Sequence, residues 1–337
     1  MIPNFSSKLF EKLAPEIEAS VWVEPVWRVM GKITFKSGKT RYWKGNSFDL
    51  NMMGSVAIAK DKAYTSQLML LAGFPAPSGK AFPSPKWASA IGVPYDEAAI
   101  YEYAHSVPYP LIAKPNGQGA GKQVHLVHDE EELGAALDGV FSLDNMVLLE
   151  EYRSGRDYRF LVLDDDVVLA YERTPATVTG DGKTILRDLV LAHELSLQEK
   201  GREVHYDEDW QRIARYVERK EGEKAGGALS WKPHLGHRVQ ILPNANLSAG
   251  GEARDVTETA HQSYNALAIA VSREFNFRFC GVDLLTPGAI EEPIHKEAVI
   301  LELNAEMPGT QHFANTSKEA MVKVENVYRR ILKILEQ

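Results

Sequence analysis

The sequence is poorest in cysteine. A single one, Cys280, stands among 337 residues, so no internal disulfide can form and a reducing, cytoplasmic setting is expected. Positive charge is also in the minority: 38 lysines and arginines face 46 acids, a formal charge of −8. That balance argues against a chain whose main work is gripping nucleic-acid phosphates, and no nucleic-acid partner is expected. No apolar run approaches the ~20 residues of a membrane-spanning helix, and MIPNFSSKLFEKL lacks the charged-then-apolar order of a signal peptide, so no membrane partner is expected. Repeats and low-complexity tracts are absent. What remains, 44% apolar and 25% charged, is an ordinary soluble globular composition, long enough for two lobes and a small appended unit.

Residues 1–57 read as a small unit of their own: VWVEPVWRVMGKITFKSGKTRYW is rich in β-branched and aromatic residues, with Ser37-Gly38 as a turn. A helix is expected over about 62–72, with Leu68 and Leu71 inward, ended by Gly73 and Pro75. YPLIAKP (109–115) is a strand entering the glycine-rich NGQGAGK (116–122), and QVHLV follows as a second strand. Asp129 and Glu132 form a capping-box pattern that opens a helix over about 130–138. MVLLEEY (146–152) reads as a buried strand and residues 157–174 as a hairpin turning at Asp164 to Asp166. The densely charged stretch 196–232 reads as a solvated insert or lid. Beyond it, 257–275 is an amphipathic helix, FCGVDLL and AVILELNAE are strands, and 318–335 is a final helix. Strands and helices alternate without a regular βαβ rhythm, so the expected class is α+β.

Two phosphate motifs fail at 116–123. A P-loop needs glycine at Asn116 and serine or threonine at Gln123; the dinucleotide fingerprint fails because Gly117, Gly119 and Gly121 are spaced by two and two. Closely spaced glycines still let backbone N–H groups approach phosphate oxygens, and a plain hairpin loop is the alternative.

The most informative local feature lies near the C-terminus. By strict alternation Val299, Leu301 and Leu303 face one side of a strand, and Glu302 and Asn304 the other; Asp283 stands alone among apolar neighbours on the strand before. Such oxygens are costly to bury unless something cationic sits there, and hard ligands of this kind suit Mg²⁺. A solvent-exposed strand face is the plainer alternative.

Five ordered segments then match a family: KDKAYTSQLMLLAGFPAPSG, LIAKPNGQGAG, LLEEYRSGRDYRFLV, ERTPATVTGDGKTILRDL with NANLSAGG, and GVDLL…LELNAEMPG. Over residues 58–337 the chain resembles the ATP-grasp carboxylate–amine ligases, most closely those of cyanophycin synthetase and fused glutathione-synthesising enzymes. The resemblance implies an ATP-grasp fold, with an N-lobe over 58–151 and a C-lobe over 152–337 that includes a helical insert at 191–238. It implies ATP and one or two Mg²⁺ (or Mn²⁺) as cofactors. Lys62 and Lys114 would be the nucleotide lysines, and Gly117, Gly119 and Gly121 part of a loop closing over the phosphates. Glu150, Glu151, Tyr152 and Arg153 would form the adenine hinge, and Asp157 would accept from the ribose. Arg173 would stabilise the acyl phosphate, Asn246, Ser248, Gly250 and Gly251 would hold the transferred phosphate, and Asp283, Glu302 and Asn304 would bind metal. D-alanine–D-alanine ligases carry an arginine two residues before the first metal carboxylate, where this chain has Gly281, which draws the likeness toward the glutathione and cyanophycin enzymes.

The reaction this implies is amide formation between a small-molecule acid and amine, amino acids or small peptides, through an acyl phosphate with release of ADP and phosphate. A peptide or protein terminus as substrate, a kinase, and a nucleotide binder without turnover are the other readings. Analogy allows a homodimer.

Overall fold

The computed structural model describes residues 4–337 except Ala120, Glu208, 223–226 and Met307, so a few positions of the 116–122 loop, the 191–238 segment and the LELNAEMPG run lie outside the described residues. By contact the chain divides into two units. The larger holds the residues up to Tyr171, Val256–Gly309 and Glu325–Gln337; the smaller holds Glu172–Asp255 and Thr310–Val324.

The larger unit begins with helix α1 (Phe5–Leu13) and an antiparallel sheet of β1 (Ser20–Val23), β2 (Met30–Thr34), β3 (Thr40–Lys44) and β4 (Ser47–Phe48), in that order. Its inner face carries Ile33 and Trp43, and Phe10 of α1 packs on Trp43 and Tyr328 at centroid distances of 4.9 and 5.4 Å. Next come α2 (Met53–Ala59) and α3 (Lys62–Leu71), the latter capped by Asp61, whose side chain accepts the Tyr64 N–H at 2.9 Å. The expected inward face of α3 is corrected here: Thr65 and Met69 are buried, whereas Leu68 and Leu71 are 39% and 76% exposed. The burial stripe is the i, i+4 pair Thr65 and Met69, and Leu68, Leu70 and Leu71 lie off it.

A second antiparallel sheet, in the order β5-β8-β6-β7, joins β5 (Gly79–Pro83), β6 (Leu111–Pro115), β7 (His125–Val127) and β8 (Met146–Glu151). Helices α4 (Pro85–Ile91), α5 (Glu97–Ser106) and α6 (Glu130–Leu143) connect its strands. Leu111, Ala113, Val147 and Leu149 pack with Ile100, Leu133 and Val140 in one core. Residues of the opposite parity, Lys114 and Glu150 among them, therefore stand on the other face. Asp129 caps α6 as expected, accepting the Glu132 N–H at 2.9 Å, and α6 runs on to Leu143.

Strands β9 (Arg156–Leu163) and β10 (Asp166–Thr174) form the expected hairpin, with Asp164 at φ 52° in its turn. In the smaller unit β11 (Thr177–Thr179) pairs with β12 (Arg238–Gln240), beside α7 (Leu186–Glu199) and α8 (Trp210–Glu221). This unit has a core of its own, in which Val190, Leu197, Val204, Tyr206, Ile213 and Val217 are buried. The charged stretch 196–232 is thus no solvated appendage: its apolar minority recurs at helical spacing and packs inward. Strand β13 (Glu252–Asp255) closes the segment, and α9 (Gln262–Glu274), β14 (Phe279–Thr286) and β15 (Val299–Asn304) return the chain to the larger unit before α10 (Thr310–Ala314) and α11 (Lys318–Glu336).

Strands β10, β9, β14 and β15 lie side by side in that order. The register of β14 with β15 shifts between Asp283 and Leu284: Asp283 faces Glu302, but Leu284 faces Ile300. This bulge absorbs Leu301 and breaks the strict alternation expected for β15. Ile300 and Leu303, three apart, both join the core with Cys280, Val282 and Leu284, and Leu301 does not. Leu303→Ala should accordingly destabilise by about 2–5 kcal/mol, and Leu301→Ala by less than about 1 kcal/mol. Urea midpoints for the two variants test this, and equal losses would contradict the bulge.

Candidate active site

Three neighbouring strands of the larger unit place one charged residue each in a row. Asp283 lies opposite Arg159 on one side and opposite Glu302 on the other. The core takes the alternate positions, so this row lies on the face away from it. Asp283 is 4% exposed and is held by a two-pronged contact from Arg159, Nε to Oδ1 at 2.5 Å and Nη2 to Oδ2 at 2.6 Å. Burial alone would pull the guanidinium below its usual value; the Asp283 carboxylate more than offsets this and holds it well above. Arg159 was missed from sequence, although the signal was there: in DYRFLVL it alternates with the buried Tyr158 and Phe160. Gly281, opposite Asn304, could not carry a side chain, since a Cβ would come within 2.9 Å of the Pro308 carbonyl oxygen. The guanidinium absent from 281 is supplied to Asp283 by the next strand.

Lys62 joins this row to the glycine-rich loop. It is the first residue of α3, and its Nζ stands 3.3 Å from Glu302 Oε1 while donating to the Gln118 carbonyl at 2.6 Å. Asn116, 5% exposed, fastens the loop to the helix start: its Oδ1 accepts the Ala63 N–H at 2.9 Å and its carbonyl the Lys62 N–H at 3.3 Å. The Gly117 N–H is taken by Asp144 Oδ2 at 2.8 Å, and Gly121 sits at φ 69°. Gly119 has open space where a Cβ would lie.

Lys114 has a partner, as a lysine within an apolar strand must. Its ammonium is ion-paired to Glu150, and both side chains are about nine-tenths buried, at 11% and 7% exposure. Glu151 accepts from the Ser78 N–H at 3.0 Å and from Arg153 at 2.7 Å; burial would raise its pKa, but these donors lower it. Tyr152 is 43% exposed beside them. Asp157, on β9, lies opposite Leu285.

Arg173 and the 244–251 loop belong to the smaller unit. Arg173 is 7% exposed near the end of β10. The Asn246 carbonyl accepts from the N–H groups of Ala249 and Gly251, at 3.0 and 3.1 Å, winding a short 3-10 turn that contains Ser248. Gly250 has φ 86°, and a Cβ on Gly251 would come 2.7 Å from the Thr174 carbonyl oxygen, so both positions demand glycine.

Comparison with known proteins gives the class. Residues 79–181 match the family described as D-ala D-ala ligase C-terminus, a match that stops short of Gly281. The crystal structure of a bifunctional glutathione synthetase from Pasteurella multocida aligns with a TM-score of 0.54 at 23% identity, covering 90% of this chain and 40% of that one. The fold is therefore ATP-grasp, of the α+β class. Among curated proteins, the glutathione biosynthesis bifunctional protein of Mannheimia succiniciproducens is 28% identical over 249 residues, 72% of this chain and 31% of that protein. Its counterpart in Streptococcus thermophilus is 30% identical over 254 residues, 73% and 32% respectively. The chain is similar in sequence to glutathione biosynthesis bifunctional proteins and spans about a third of the length of the curated relatives it matches.

Removing Lys114 strands a buried carboxylate. Lys114→Ala should cost roughly 3–5 kcal/mol of stability. The double variant Lys114→Met with Glu150→Leu should recover most of it. Chemical denaturation of the wild type and both variants tests this, and a fully stable single variant would refute the pairing.

Proposed function

We propose that the chain is an ATP-dependent, ADP-forming ligase that joins a carboxylate to an amine, amino acids or small peptides, through an acyl phosphate. One observation carries this: Lys62 ties the glycine-rich loop, through Gln118, to the carboxylate row, through Glu302. An ammonium fixed between a phosphate-cradling loop and oxygen ligands is the arrangement that a triphosphate with its metal needs. The relatives, a glutathione biosynthesis bifunctional protein and a glutathione synthetase, support amide formation between amino acids.

The oxygen donors fit Mg²⁺. Asp283 and Glu302 face each other across β14 and β15, and Asn304 stands two residues further along the same face, its Nδ2 buried without a hydrogen-bond partner. Mg²⁺ keeps waters and completes its shell with phosphate oxygens, so it needs few protein ligands. Such an ion, bound there, would neutralise charge on the transferring phosphoryl group. Arg159 fixes the Asp283 carboxylate in place through both of its oxygens.

In this reading Lys62 and Lys114 hold the phosphates, Glu150 to Arg153 and Asp157 the nucleoside, and Glu302, Asp283 and Asn304 the metal. In the smaller unit, Arg173 and the loop Asn246–Gly251, with Ser248, stabilise the oxyanions formed as the carboxylate takes the phosphoryl group and then loses phosphate to the amine. Lobes over 58–151 and 152–337, a covering role for 191–238, and a cytoplasmic setting, in keeping with the one buried cysteine, complete the proposal.

Hydroxylamine offered with ATP and the acid should yield a hydroxamate, because an acyl phosphate is trapped by it and a phosphate ester is not. A stable phosphorylated product without hydroxamate would make the protein a kinase. Glu302→Ala should lower turnover by at least 100-fold with an unchanged circular-dichroism spectrum; near-normal rates in Mg²⁺ would remove the metal site.

A further inference from the structure

The smaller unit contains a buried cation that the reaction above does not use. Arg202, in the connection after α7, is 8% exposed, yet among the described residues it has no carboxylate within ion-pair range. Its Nη2 donates instead to two backbone carbonyls, those of Leu247 and Gly251, both at 2.6 Å. Tyr206, fully buried, donates its hydroxyl to the Ala249 carbonyl at 3.3 Å. Three alternate carbonyls of one loop are thus drawn toward the same segment, residues 202–206.

That segment is itself braced. Glu194 of α7 accepts the Tyr206 N–H at 2.9 Å, and Gln198 donates to the Val204 carbonyl at 3.1 Å. His193 stacks on the Tyr206 ring with centroids 6.4 Å apart. The absent Cβ of Gly250 is what lets Tyr206 approach, since a Cβ there would lie 2.0 Å from its hydroxyl.

A trans peptide points its N–H opposite to its carbonyl. With the Leu247 carbonyl turned to Arg202, the Ser248 N–H is turned away from it, and neither that N–H nor the Ser248 hydroxyl has a hydrogen-bond partner among the described residues. Burial holds the Arg202 guanidinium below its usual pKa, although the Tyr206 hydroxyl and the Glu252 carboxylate act against this.

We propose that residues 202–206 form a brace that sets the loop Asn246–Gly251 with the Ser248 N–H and hydroxyl turned away from Arg202, and that Arg202 makes this loop an anion site for a terminal phosphoryl group. This rests on the reading of the loop given above. Arg202 is a positioning residue, since it acts through Leu247 and Gly251, and its positive field adds to the loop's donors.

The test compares the affinities of a non-hydrolysable ATP analogue (imidodiphosphate) and of ADP, both with Mg²⁺, by calorimetry. The wild-type protein should prefer the triphosphate. Arg202→Met should reduce that preference on the order of tenfold with ADP affinity unchanged, Arg202→Lys should restore part of it, and Tyr206→Phe should reduce it less. Gly251→Ala, which deforms the loop directly, should abolish the preference. If Gly251→Ala does so while the Arg202 variants keep the wild-type ratio, the brace is refuted and the loop assignment survives. If Gly251→Ala leaves the ratio intact, or the wild type shows no preference, the loop assignment falls and the brace with it. Should Arg202→Met fail to fold, Arg202→Lys decides: it keeps the charge but is shorter and cannot place a nitrogen between the Leu247 and Gly251 carbonyls, so an unaltered ratio overturns the proposal.

Discussion

Two carboxylates side by side on a sheet repel each other and resist burial, and the larger unit is organised around relieving that cost. Asp283 is answered by Arg159 from one neighbouring strand, and Glu302 by Lys62 from the start of α3. These pairs turn a costly sheet face into an ordered one. The cation that the sequence demanded at these oxygens is thus already present as side chains.

The same economy recurs at Lys114. Lys114 and Glu150 lie diagonally on one face of the β5-β8-β6-β7 sheet, each making the other's burial tolerable. Loops follow a parallel rule. Asn116 pins the glycine-rich loop to the first turn of α3, and Arg202 with Tyr206 pins the loop at 246–251 to the segment after α7. Short glycine-bearing segments have little to hold them in one conformation, and in each case a buried polar side chain from another element does so.

Local chemistry was legible in the sequence wherever a single element decides it. The Asp129–Glu132 cap, the hairpin at Asp164 and the strands around Lys114 and Asp283 follow from capping, turn and periodicity rules applied to neighbouring residues. The pairing of Asp283 with Glu302 on one face was also readable, because both sit among apolar residues on short strands. Phase errors arose where two elements compete. Leu68 and Leu71 are good core candidates until Thr65 and Met69 take the buried stripe of α3, and Leu301 keeps strict alternation until a bulge absorbs it.

What tertiary structure alone decided is partnership. Nothing in the spacing of Arg159 and Asp283, 124 residues apart, says that β9 lies beside β14 in a register that sets them opposite. Nor does the charge density of residues 196–232 reveal that Leu197, Tyr206 and Ile213 build a core that holds Arg202 against a loop. Sequence by itself indicated many of the strands and helices, though not β5, α4 or α5, and the kinds of side chain available to a site. Strand order and register determined which charges meet, because electrostatic pairing depends on distance in space, and that distance is set only when the sheet closes.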